Sequence, residues 1–89
     1  MRIIWDEPKR LANVLKHGFD FADLDLAFFE DAVQRPAREP RRFAFNWFEG
    51  ELLAVVYTRL GTEALAVISM RPANVRERQI FNDQANDRI

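Results

Sequence analysis

Apolar and polar positions recur along this chain with two different periods, and each change of period marks the edge of an element. Arg2 to Trp5 is short, β-branched and aromatic, which predicts a first strand. From Glu7 the spacing turns helical, with Leu11, Val14 and Leu15 at i, i+3 and i+4 as an apolar stripe expected to face a core. Asp6, Glu7 and Pro8 supply the anions and the preset φ that favour a helix start, and Gly18 supplies the stop. Lys9, Asn13 and Lys16 lie on another side, with Arg10, Asn13 and His17 as a neighbouring polar line. The predicted helix therefore presents a cationic face.

Asp20 and Asp23 then open a second amphipathic run, in which Phe21, Leu24 and Phe28 share a side and Phe19 is placed to staple onto Leu24. Two helices in a hairpin are expected from this. Pro36 and Pro40 make the stretch from Asp31 to Arg42 irregular, except for an edge strand near Ala32 to Gln34. Phe43, Phe45 and Trp47 alternate with period two as far as Glu49 and Gly50, which predicts a strand and a turn. Leu52 to Thr58 is apolar on both parities, the pattern of a central strand covered on both faces. Ala64 to Met70 supplies its partner, and Pro72, with no N–H to donate, ends the run soon after Arg71. Asn74 with Glu77 three residues on predicts a capping box for a last helix carrying Val75, Ile80 and Phe81. The tail 82–89 is expected to fray or to be ordered by a partner. The predicted class is α+β: an antiparallel β-meander sheet packed against a two-helix hairpin, with a C-terminal helix.

Composition narrows the picture. Eighty-nine residues, 48% of them hydrophobic, provide one core and one domain, 1–89. With no cysteine there is neither disulfide nor thiolate metal site, so a cytoplasmic protein steadied by association is expected. No apolar run approaches the roughly 18 residues of a membrane span. The net charge of -1 conceals two blocks. Asp20 to Asp31 holds five acids and no base, whereas Arg35 to Arg78 holds eight arginines against five acids. Arginines that converge in the fold would bind a polyanion in spite of the neutral sum.

Most familiar catalytic constellations are absent. Gly18, Gly50 and Gly61 form no phosphate-cradling loop, His17 is the single histidine, and Ser69, the single serine, lacks a nucleophile-elbow context. No metal site and no cofactor are expected. What remains suits a phosphodiester: cleaving RNA without a metal requires a base for the 2′-OH, a proton for the leaving oxygen and fixed positive charge on the phosphate. Lys16, His17, Arg59 and Arg71 are the candidates, since imidazole with its ordinary pKa of about 6.5 suits proton transfer and guanidinium suits the phosphate. Lys9 and Arg76 are candidate RNA contacts, and Trp47, Trp5 or Phe45 candidate stacking platforms for bases. Lys16 and His17 also occupy the helix turn where cations complement the dipole, so a capping role stays open beside the catalytic one. A non-catalytic partner-binding module, acting in a complex that regulates transcription, is the alternative from a different class.

One set of residues carries a family resemblance: Trp5-Asp6, Lys9, Asn13, Lys16-His17-Gly18 and Phe21, then Val55-Val56-Tyr57-Thr58, Ile68-Ser69-Met70-Arg71, Ala73 and Arg76-Glu77-Arg78. In order and spacing the chain resembles the BrnT toxins from Ile3 to about Phe81. The resemblance implies a RelE-like fold and a type II toxin that cleaves RNA and halts translation. It implies neutralisation by a BrnA-type antitoxin of ribbon-helix-helix type, with operator DNA contacted only through that antitoxin, and it allows a dimer in the complex. Carried over residue by residue, the RNA-facing set is Lys16, His17, Arg59, Arg71 and Arg76. The amide-rich and acidic end after Phe81 departs from the longer basic finish of many members. For the antitoxin, the expected surfaces are the acidic helix with Leu24, Phe28 and Phe29, the edge strand and the tail.

Overall fold

The computed structural model describes residues 1–86. A five-stranded mixed sheet of order β1-β5-β4-β3-β2 is built from β1 (Arg2–Trp5), β2 (Val33–Pro36), β3 (Arg42–Phe48), β4 (Glu51–Leu60) and β5 (Ala64–Pro72). Strands β2 to β5 form the expected antiparallel meander, with β4 at its centre. The first strand departs from that pattern, because β1 runs parallel to β5 at the sheet edge. Glu49 and Gly50, with φ of 49° and 81°, make the two-residue turn between β3 and β4. Positive φ at both positions matches the twist of the paired strands, and Gly50 takes it without steric cost.

Each face of the sheet carries its own core. On the first face, Ala44, Leu53, Val55, Tyr57, Leu65, Val67 and Met70 pack under Phe21, Leu24, Phe28 and Phe29. On the second, Val33, Phe45 and Ala54 pack with Phe43 and with Ile80 and Phe81 of the last helix, α3 (Val75–Asn86). The apolar residues of β4 are buried on both parities, as its sequence pattern requires.

The first helix, α1 (Glu7–His17), starts and stops where expected but turns a different side inward. Leu11 is 51% and Leu15 89% exposed, whereas Asn13 is 7% exposed. The reason lies in the sheet edge. β1 pairs with β5 only as far as Val67, so the N–H and C=O of Met70 meet no strand on that side. The Asn13 amide meets both, its Oδ1 accepting from Met70 N–H at 3.0 Å and its Nδ2 donating to Met70 O at 2.8 Å. Leaving buried backbone groups of this kind unpaired costs about 1–3 kcal/mol each, of the same order as the roughly 1.5–3 kcal/mol given up by each exposed leucine.

The expected second helix is divided, and no helical hairpin forms. Asp20 caps a single 3-10 turn, Phe21–Asp23, by accepting from Ala22 N–H at 2.9 Å. Leu24 is then extended, and Asp25 caps a separate short helix, α2 (Leu26–Glu30). α1 packs on β5 and α2 on β3. Leu24, Phe28 and Phe29 lie in the core and are withdrawn from any partner surface. At the other end α3 extends through Asn86, so 82–86 is helical where fraying was expected, and the remainder of the tail lies outside the described residues.

Candidate nucleic-acid interface and active site

The helix α1 is fixed at both ends. Asp6 accepts from Lys9 N–H at 3.3 Å, and Gly18, with φ of 78°, donates its N–H to Val14 O at 2.8 Å. A left-handed residue here suits glycine, since a Cβ would be strained. Asn13 ties the helix to the following loop by donating to Phe19 O at 2.9 Å. Arg10 is committed internally, bonding Glu7 and, at 2.8 Å, Asp20. The Arg10 guanidinium is therefore held above its ordinary range, first by Glu7 and then by Asp20. The Asp20 carboxyl is held below its own, mainly by the Ala22 N–H and further by Arg10.

The other cations of α1 are left unpaired. A cleft of about 340 Å³ between α1 and β5 is lined by Lys9, Asn13, Lys16, His17, Arg41 and Ser69, with Ala12 and Ile68. No carboxylate among the described residues lines it. Among the described residues, Lys9, Lys16, His17 and Arg41 form no ion pair. Arg41 comes from the loop before β3, where its backbone is fixed by Arg41 N–H to Arg38 O at 2.7 Å and by Ala37 N–H to Arg41 O at 3.1 Å. Uncompensated positive charge around a concave opening is the electrostatic signature of an anion site.

Strand register carries this site across the sheet. Side chains directly opposite on paired strands share a face. Ser69, Val56, Phe43 and Arg35 form one such row and Arg71, Ala54, Phe45 and Val33 the next, both on the second face. The far end of these rows opens into a cleft of about 450 Å³ lined by Arg35, Phe43, Phe45, Arg76, Glu77 and Ile80, among others. Between the two clefts the Arg71 guanidinium stands 6.0 Å from the Phe43 ring centroid.

Arg71 is neutralised as it lies. Its two terminal nitrogens donate to Glu77 Oε1 and Oε2 at 2.7 and 2.9 Å. Glu77 Oε1 also accepts from Asn74 N–H at 2.9 Å, while Asn74 Oδ1 accepts from Glu77 N–H at 2.8 Å, completing the expected capping box. The hydrogen bond to Glu77 raises the Arg71 pKa. Burial alone would raise Glu77, but the bonds from Arg71 and Asn74 outweigh it and hold that carboxyl below its ordinary range.

The sequence candidates thus separate. Lys9, Lys16 and His17 share the first cleft, Arg71 stands between the clefts, and Arg76 borders the second. Arg59 is not among them. It is opposite Leu65 in the register, on the first face, and lines a different cleft with Phe29, Glu30 and Tyr57. Trp47 is half-exposed and sets its ring edge-to-face on Phe81, 6.4 Å between centroids. Arg41, Arg35, Phe43 and Ser69 join the site without having been singled out for it from the sequence. The two arginines sat in a stretch whose sequence reads as irregular; cross-strand register brings Arg35 to this face, and the hydrogen-bonded loop before β3 brings Arg41 to the first cleft.

Comparison with known proteins decides between a catalytic and a purely binding reading of the chain as a whole. Residues 5–77 match the family model for the ribonuclease toxin, BrnT, of type II toxin-antitoxin systems. The chain belongs to that family. The crystal structure of the Brucella abortus ribonuclease toxin BrnT is 51% identical, superposes with a TM-score of 0.79, and matches over 83% of this chain and 97% of that one. No curated protein matches in sequence. Membership makes the chain a ribonuclease toxin with an antitoxin as partner. The fold is shared with the Brucella toxin.

Proposed function

We propose that the toxin is a metal-independent endoribonuclease whose RNA lies across the second face of the sheet, with the α1–β5 cleft as the reaction site. The observation that carries this is the gathering of Lys9, Lys16, His17 and Arg41 around one opening that no carboxylate lines. A phosphodiester there meets fixed positive charge without desolvating an acid. His17 moves protons in the attack of the 2′-oxygen on phosphorus and the departure of the 5′-oxygen, forming a 2′,3′-cyclic phosphate and a 5′-hydroxyl. Lys16 and Arg41 hold the non-bridging oxygens as negative charge grows on them, and Lys9 holds the neighbouring phosphate. Further along, Phe43 offers a ring to an unstacked base, while Arg35 and Arg76 take the backbone. Arg71 keeps Phe43 and the start of α3 in place, and Arg59 stands outside the reaction.

The BrnT resemblance supports a RelE-like relationship, arrest of translation in the cytoplasm, and neutralisation by a BrnA-type ribbon-helix-helix antitoxin through which operator DNA is bound. The decisive experiment is incubation of purified toxin with naked RNA in EDTA, with product ends mapped. Cyclic phosphate ends that vanish in His17→Ala are expected. Cleavage that requires added magnesium, or that His17→Ala performs at the wild-type rate, would overturn the assignment.

A further inference from the structure

One exposed ridge of α1 is apolar, and no described residue covers it. Leu11 and Leu15 stand two residues to either side of buried Asn13, which places both about 200° around the helix from it. With Pro8 and Ala12, also exposed, they follow the spacing i, i+3, i+4, i+7, the ridge that an α-helix offers to another helix. Ala12 belongs to the ridge and to the lining of the α1–β5 cleft. The ridge is therefore one lip of the cationic opening, and whatever seats on it overhangs Lys9 and Lys16.

We propose that this ridge is where the antitoxin docks, through an amphipathic helix whose apolar side covers Leu11 and Leu15 and whose acidic side lies over Lys9, Lys16 and Arg41. Bound there, the antitoxin fills the cleft mouth that RNA would use, so the inhibition half of this inference rests on the RNA reading above. Charge selects the occupant. The cleft beside the ridge carries cations and no acid, so an acidic segment gains on approach. A second toxin copy fits less well, since antiparallel pairing of Leu11 with Leu15 would bring Lys9 of one copy toward Lys16 of the other. Four ridge residues are fewer than a stable interface needs, so the ridge anchors a larger contact.

The test is the double variant Leu11→Ser/Leu15→Ser, both positions being exposed and outside the proposed RNA machinery. Tagged toxin is co-expressed with the product of the neighbouring reading frame, and both forms are also purified alone. The variant should keep wild-type thermal unfolding and RNA cleavage, and should bind its partner at least about 100-fold more weakly, with two buried leucines lost. Raising salt from about 0.05 to about 0.5 M should weaken the wild-type complex. Equal recovery of the partner by the variant would overturn the proposal. So would a free wild-type dimer that the variant converts to monomer, since the ridge would then be a self-interface. Absence of cleavage by both free forms, with partner binding still lost in the variant, would retain the docking surface and remove the RNA reading alone.

Discussion

The two ends of β5's outer half treat positive charge in opposite ways. Where β5 meets α3, Arg71 is closed against Glu77 in a two-pronged pair that also completes the helix cap. Where β5 meets α1, the closing is done by the neutral amide of Asn13, and Lys9, Lys16 and Arg41, with His17 beside them, keep their charge for something outside the chain. An acid placed to stabilise the α1 junction electrostatically would cancel its field. An amide stabilises it and leaves the field intact.

Five substitutions would break or sharpen this contrast. The largest expected effect is on catalysis: His17→Ala should lower RNA cleavage by about 1000-fold, while urea unfolding changes by no more than the roughly 1 kcal/mol of a helix-end cation. Asn13→Ala should do the reverse, costing about 3 kcal/mol in urea unfolding, because Met70 N–H and C=O lose their partners together. Glu77→Gln comes next, at about 2 kcal/mol near neutral pH, a figure kept below that of a fully buried pair because the Arg71 side chain is 29% exposed. Its pH dependence has a definite sign. Since folding lowers the Glu77 pKa, the stabilisation is complete above the unfolded carboxyl value of about 4.3 and is lost as pH falls through the folded one. Acid titration of stability should therefore be steeper for wild type than for Glu77→Gln.

Smaller effects test the extent of the RNA path. Arg41→Ala should weaken single-stranded RNA binding a few-fold and reduce the slope of log affinity against log salt by about 0.7, the contribution of one phosphate contact. Arg59→Ala should leave cleavage within about two-fold of wild type, as expected of a residue on the opposite face. A large loss there would move the active site to the first face.

Elements whose pattern reflects burial alone were legible in the sequence. The doubly apolar β4, the Glu49-Gly50 turn, the Gly18 stop and the Asn74/Glu77 capping box all stand where local chemistry predicts. Misreadings arose where a long-range need overrode a local pattern. Leu11, Val14 and Leu15 form a stripe with a core's spacing, yet the unpaired edge of β5 at Met70 turned Asn13 inward. Asp25, an N-cap in its own right, divided what read as one helix. For the proposed site, the grouping of Lys9, Lys16 and His17 in one cleft was legible because they sit within little more than two turns of one helix. Arg41 and Phe43 were not, because the pairing of Phe43 with Val56 and of Val56 with Ser69 is invisible in sequence order.

The Asn13 amide has one more effect, on how molecules of this protein meet one another. An open sheet edge is a template on which a strand from a neighbour can grow. Beyond Trp5 the edge of β5 would be such a template, but Met70 presents no free donor or acceptor there, since a side chain already plays the part of the missing strand. A single asparagine thus makes this stretch of the sheet a dead end for strand addition, and the same substitution that loosens α1 would also expose an adhesive edge.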